Sequence, residues 1–172
     1  FDLEGTVQIH GKVHFTLPVA PHAASLDGYT LAVRQGYNTV HFYDLLTEMY
    51  THKITLNSET YIRSLVLQDH RLYFTTPWDL LYSVPAFHTG AVKLVSRDVV
   101  EAVDKASSGH ILVRNKKSVG VISTCVSQLH WTKAPSAVTF DYDALNRNIA
   151  WVSPAGIVHL VGLREQEITR YS

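Results

Sequence analysis

The sequence is almost without cysteine. Cys125 is the only one among 172 residues, which excludes an intramolecular disulfide framework and every zinc module built on four cysteines or on paired cysteines and histidines. Such a chain fits a reducing, intracellular compartment, cytoplasmic or nuclear. Long apolar runs are missing too. The longest, such as "RSLVLQ" from Arg63 and "GIVHLVGL" from Gly156, are strand-length and broken by polar residues, far short of the ~20 residues that a transmembrane helix needs. Neither charge is in excess, because 15 Lys and Arg face 15 Asp and Glu. The basic footprint that nucleic acid or an anionic membrane attracts is therefore absent, and neither partner is favoured. Methionine occurs once, at Met49, in a chain that opens on Phe1; the translation start is expected elsewhere, and the chain is expected to be a piece of a longer protein.

What is present is a folded composition, 46% hydrophobic with 17% charged residues, enough to bury a sizeable core. It is arranged as a repeat. Four apolar cores, "LAV" from Leu31, "LYF" from Leu72, "ILV" from Ile111 and "IAW" from Ile149, start 41, 39 and 38 residues apart. That is the span of a four-stranded unit. Each core is followed, across a turn rich in Gly, Asn, Pro or Lys, by a second strand: "TVHFYDL" from Thr39, "DLLYSV" from Asp79, "SVGVIST" from Ser118 and "GIVHLVG" from Gly156. Turn residues between β-branched and aromatic runs are the hairpin signal. A further strand follows in each unit, near Ile54, Val92, His130 and Ile168, and another precedes each core, from Ala23, Arg63, Val99 and Ala137.

Labelled a to d, these strands give four units, with boundaries expected at 21–57, 58–97, 98–135 and 136–172. The opening segment aligns Asp2 and Leu3 with Asp44 and Leu45, so residues 1–20 read as part of a fifth unit ending in a d strand over Val13 to Thr16. Two segments carry a competing helical spacing, "SRDVVEAVDKASSG" from Ser96 and "FYDLLTEMY" from Phe42. The repeat phase and the β-branched valines favour strands there.

The stretch "DGYTLAVRQGYNTVHFYDLLT", Asp27 to Thr47, resembles a blade of a WD40-type β-propeller: an Asp-Gly turn, an apolar b strand, a polar turn, then a c strand ending in aromatic, Asp, Leu. Asp44 and Asp2 match the acidic residue that the family carries at the end of strand c. Later units lack it, and the one Gly-His pair, Gly109 and His110, stands before strand b rather than before strand a. The resemblance implies an all-β propeller of four-stranded antiparallel blades, four and part of a fifth, belonging to a larger ring. It also implies a scaffold that binds protein or peptide partners within a larger complex. Partner binding in such propellers uses the face made by the b–c and d–a connections. Carried onto this chain, that face holds Arg34, Tyr37, Tyr61, Trp78, Arg97, Lys116, Lys117 and Pro154. Trp78, after Pro77 in a turn with no evident need for an indole, is the foremost anchor, because Trp, Tyr and Arg dominate binding hot spots. Packing between blades is its alternative role. "SVGVIST" followed by "LHWTKAPSAVTFDYD" also resembles the strand run of a polo-box domain, with "GYTLAVRQGYNTVHF" as a second copy, so a tandem polo-box binding module is a rival fold.

Catalytic and metal patterns are scarce. His10 and His14 stand four apart, roughly 13 Å along a strand, too far to share an ion. Neither His-x-His, His-Glu-x-x-His nor Cys-x-x-Cys occurs, and no Gly-x-Ser-x-Gly elbow or phosphate loop is present, so no catalytic residue, metal ligand or cofactor is assigned. Cys125, at a strand end, reads as a small buried hydrophobe. The basic run "RNKKS" from Arg114 reads as a solvated hairpin loop or as a contact for an acidic peptide. An enzyme with its site over a central channel remains the rival to the scaffold, since function does not follow from fold.

Overall fold

Seventeen strands and no helical element form among the residues that the computed structural model describes, 6–9, 12–16, 23–106, 109–125 and 128–163. A hairpin of β1 (Thr6–Ile9) and β2 (Lys12–Thr16) comes first. Sheet I contains β3 (Ala23–Asp27), β4 (Thr30–Arg34), β5 (Thr39–Asp44) and β6 (Met49–Thr55). Sheet II contains β7 (Ser64–Gln68), β8 (Arg71–Thr75), β9 (Leu81–Pro85) and β10 (Lys93–Ser96). Sheet III contains β11 (Ala102–Lys105), β12 (His110–Arg114), β13 (Ser118–Ser123) and β14 (Gln128–Lys133). Sheet IV contains β15 (Thr139–Asp143), β16 (Asn148–Val152) and β17 (Val158–Gly162). In every sheet the strands pair antiparallel in chain order.

The sheets stack face to face, and this explains why their central strands are apolar without interruption. Side chains alternate between the two faces of a strand. In β7, Leu65 and Leu67 join Ala32, Val40 and Phe42 of sheet I, while Val66 joins Val103, Ile111 and Val113 of sheet III. Leu112, Val119 and Val121 of sheet III meet Tyr142, Ile149 and Trp151 of sheet IV in the same way. Gly120 makes room in this stack, because a Cβ there would meet the Trp131 ring at 2.9 Å.

The first strands of sheets I, II and III lie side by side on the inner edge. β3 runs beside β7 and β7 beside β11, joined by hydroxyls: Ser25 Oγ accepts the Leu67 N–H at 2.9 Å and Ser64 Oγ accepts the Val103 N–H at 3.2 Å. Lys105 Nζ of sheet III reaches past sheet II to Asp27 Oδ1 at 2.9 Å and to the Leu26 carbonyl at 2.8 Å. The result is a curved row of blades around an axis, and among the described residues no strand of sheet IV pairs with sheet I or the hairpin.

Several readings of the sequence are decided here. The polo-box alternative fails, because each sheet packs on the next sheet rather than on a long helix. The two segments with a competing helical spacing follow the repeat phase, as expected: β11 occupies part of the first, and β5, a turn and β6 occupy the second. In the opening segment Thr6–Ile9 pairs with Lys12–Thr16 on either side of "HG", and the strand expected over Val13 to Thr16 lies within the second of these; Asp2 and Leu3 lie outside the described residues, as does the strand expected near Ile168. Cys125 is exposed, in the turn after β13. Asp44 has a local role, its carboxylate accepting the Leu46 and Thr47 N–H groups at 2.8 and 3.3 Å and so closing the β5–β6 turn.

Candidate binding face

Antiparallel order places the β4–β5, β8–β9, β12–β13 and β16–β17 turns on one edge of the sheets, together with the connections between sheets. This edge is tied by main chain. The Ile62 N–H donates to the Tyr37 carbonyl (2.8 Å), Val100 N–H to Asp79 (2.8 Å), Ser136 N–H to Lys116 (2.9 Å) and Ala134 N–H to Lys117 (2.9 Å). Side chains add to these ties, Asn38 Nδ2 donating to the Leu56 carbonyl at 3.0 Å and Asn115 Nδ2 to the Val99 carbonyl at 3.0 Å. The opposite edge differs: there Asp69 Oδ2 accepts the Thr124 hydroxyl at 2.7 Å and the Gly109 N–H at 3.1 Å, and His52 Nε2 lies 2.6 Å from the Ala86 carbonyl.

Trp78 sits at the tip of the β8–β9 turn. In "TPWDL", the Asp79 N–H donates to the Thr76 carbonyl (2.9 Å) and the Thr76 N–H to the Leu80 carbonyl (3.1 Å). Pro77 presets the first turn residue, and Asp79 takes the left-handed conformation at φ 59° that closes the loop. Trp78, between them, is 70% exposed and is not packed between the described sheets. Asp79 is held in place by Arg63 Nη1 at 3.1 Å.

Beside the indole runs an open groove of about 400 Å³ between sheets I and II. Leu56 and Glu59 contribute from the β6–β7 connection, Phe74, Leu80 and Tyr82 from sheet II and its turn, and Val92 from the approach to β10. Phe74 is a fully buried floor, at 1% exposure, stacked on Tyr82 at 5.7 Å. The Thr76 hydroxyl, also lining the groove, is buried without a partner.

Three of the residues singled out from sequence come together. Tyr37 and Tyr61, both exposed, stack in parallel with centroids 6.4 Å apart, and the Arg34 guanidinium lies 5.1 Å above the Tyr61 ring. Arg34 itself is buried, its Nη1 donating to the Ile62 carbonyl at 2.5 Å. It props Tyr61 and is not a free surface group. Arg97, Lys116, Lys117 and Pro154 are exposed on the same edge but in three other loops. The reading of the sequence missed the groove, whose walls come from two sheets, and with it Glu59, Leu80, Tyr82 and Val92. It also missed Trp131, whose Nε1–H donates to Asp98 Oδ2 at 3.0 Å beside Arg97.

Several histidines lie against aromatic rings: His52 is stacked on Phe42 at 4.5 Å, and His159 on Trp151 at 3.9 Å. Burial, and after it the Lys53 charge, holds the His41 imidazole below its ordinary pKa. No group of three His, Cys, Asp or Glu able to hold a metal ion is found among the described residues.

No family model matches the sequence, and no curated protein is similar to it in sequence. Solved structures are similar in fold. The β-propeller domain of Cps50 (Swd1) from Myceliophteria thermophila superposes with a TM-score of 0.62 at 12% identity, over 87% of this chain and 53% of that one. The Pan2 WD40 domain of Neurospora crassa superposes at 0.62 with 13% identity, over 85% and 50%. The computationally designed Ika4 protein gives 0.60 at 11% identity, over 85% and 92%. This chain spans about half the length of the two fungal domains. Its fold is that of a WD40-type β-propeller, whose sheets do not close into a ring among the described residues.

Proposed function

We propose that this chain is a non-enzymatic scaffold, a WD40-like propeller unit that binds protein or peptide partners through the edge carrying Trp78, within a larger intracellular assembly. In this reading residues 1–172 are one propeller unit, with a partial blade at 1–20 and blades at 21–57, 58–97, 98–135 and 136–172. The observation that carries the reading is Trp78 itself: a 70% exposed indole at the tip of a turn whose backbone bonds need no aromatic residue, standing over an apolar groove. Exposed aromatic anchors beside apolar pockets are where binding energy concentrates. The neighbouring Tyr37–Tyr61 stack extends the same surface, and Arg97, Lys116 and Lys117 supply charge around it.

The test is a random peptide display library panned on the chain, with the selected peptides remeasured on Trp78→Ala. We expect capture to be lost while the thermal midpoint moves by less than the equivalent of about 0.5 kcal/mol, as for an exposed substitution. A loss of roughly 3–5 kcal/mol would mark Trp78 as core and overturn the reading.

A further inference from the structure

We propose that the Trp78 groove receives a cationic side chain, Lys or Arg, from an extended partner peptide, with Glu59 as its counter-ion. The inference rests on the scaffold reading and names the partner chemistry of that same face. Among the described residues, Glu59 is the only charged one lining the groove. Its carboxylate has neither a hydrogen bond nor an ion pair among the described residues, and only its backbone N–H is engaged, by Asn57 Oδ1 at 3.2 Å. Arg63 and Asp79 nearby are already paired with each other, so neither competes for an incoming charge.

The remaining walls suit the rest of such a side chain. Leu56, Leu80 and Val92 offer apolar surface to a methylene stem, and long cationic residues lay their stems on such surface while keeping the charged head near water. The head then meets the exposed face of Trp78, the ring type that attracts cations best. An anionic side chain would face Glu59 unpaired, and a purely apolar one would leave the carboxylate to lose hydration without compensation. Charge complementarity and the aromatic face select the same ligand.

A random nine-residue display library panned on the chain tests this, with selected peptides synthesised, labelled and measured by fluorescence anisotropy. The expected result is Lys or Arg at one fixed position beside an apolar residue. Exchanging Lys for Arg, and acetylating the Lys, separates an ammonium requirement from a guanidinium one. Acetylation and Glu59→Gln should each weaken binding by about 5- to 30-fold, and together by no more than either alone. Glu59 is exposed, so an unchanged circular dichroism melt is expected for that variant. Peptides that need Trp78 but carry no cation, or that bind Glu59→Gln equally well, would overturn the cation while leaving the scaffold face standing. No selected peptides, or binding indifferent to Trp78→Ala, would overturn both.

Discussion

Two turns on the same edge share a backbone and differ in what they display. "TPWDL", Thr76 to Leu80, and "SPAGI", Ser153 to Ile157, close with the same pair of bonds: the fourth N–H to the first carbonyl at 2.9 Å in each, and the first N–H to the fifth carbonyl at 3.1 and 2.9 Å. Each has Pro second and a left-handed residue fourth, Asp79 at φ 59° and Gly156 at φ 80°. Sheet IV meets this geometry with Ala-Gly, the least demanding choice. Sheet II meets it with Trp-Asp, which exposes a large apolar ring and forces a side-chain-bearing residue left-handed. Since the sister turn folds without either feature, the fold does not require them. The turn geometry by itself therefore does not account for the indole of Trp78.

The comparison breaks most forcefully beneath the turn. Phe74 is the buried floor under Trp78 and joins the core shared by sheets I and II, so Phe74→Ala should cost about 3–5 kcal/mol, read by denaturant unfolding. A cost near that of a surface change would mean the groove has no rigid base.

Next comes the left-handed position. Gly156 has open space around its missing Cβ, so Gly156→Asp is charged only with backbone strain, about 1 kcal/mol. Asp79→Gly releases the same strain and loses an Arg63 pair that is 53% and 33% exposed, itself worth no more than about 1 kcal/mol. It should therefore fall within about 0.5 kcal/mol of the parent. Equal destabilisation by both changes in a thermal melt would show that the turns are not equivalent.

The prolines give a smaller and symmetric effect. Pro77→Ala and Pro154→Ala free the unfolded chain alike and should each lower stability by about 0.4–1 kcal/mol, the two values agreeing closely.

How much of this was legible depends on how many strands a feature draws upon. The blades could be read because stacking buries both faces of the inner strands, which leaves unbroken runs such as "SLVLQ" at a fixed spacing. The exposure of Trp78 could be read in part, since "TPWD" is a complete local turn signal. Arg34 misled because its environment is set 28 residues away, where the Ile62 carbonyl and the Tyr61 ring cover it. The groove was invisible for the same reason: Glu59, Tyr82 and Val92 meet only through the packing of sheet I on sheet II. At the start of the chain the strand over Val13 to Thr16 could be read from the repeat, whereas its pairing with Thr6–Ile9 could not.

The subtlest test moves the indole. Ala155 occupies in sheet IV the position of Trp78 in sheet II, exposed between Pro154 and Gly156. Ala155→Trp should change stability by less than about 0.5 kcal/mol, as an exposed residue in an unstrained turn position. It should also bind none of the peptides selected by the Trp78 face. The reason lies in the surroundings: Trp78 stands beside walls supplied by two packed sheets and an unpaired Glu59, whereas the groove residues Leu56, Glu59, Phe74 and Val92 have no part in the Ala155 turn. Binding requires the anchor and the cavity together. If the doubly equipped variant captured twice as much peptide per chain, an exposed tryptophan on a propeller turn would suffice, and the groove would lose its place as the determinant of recognition.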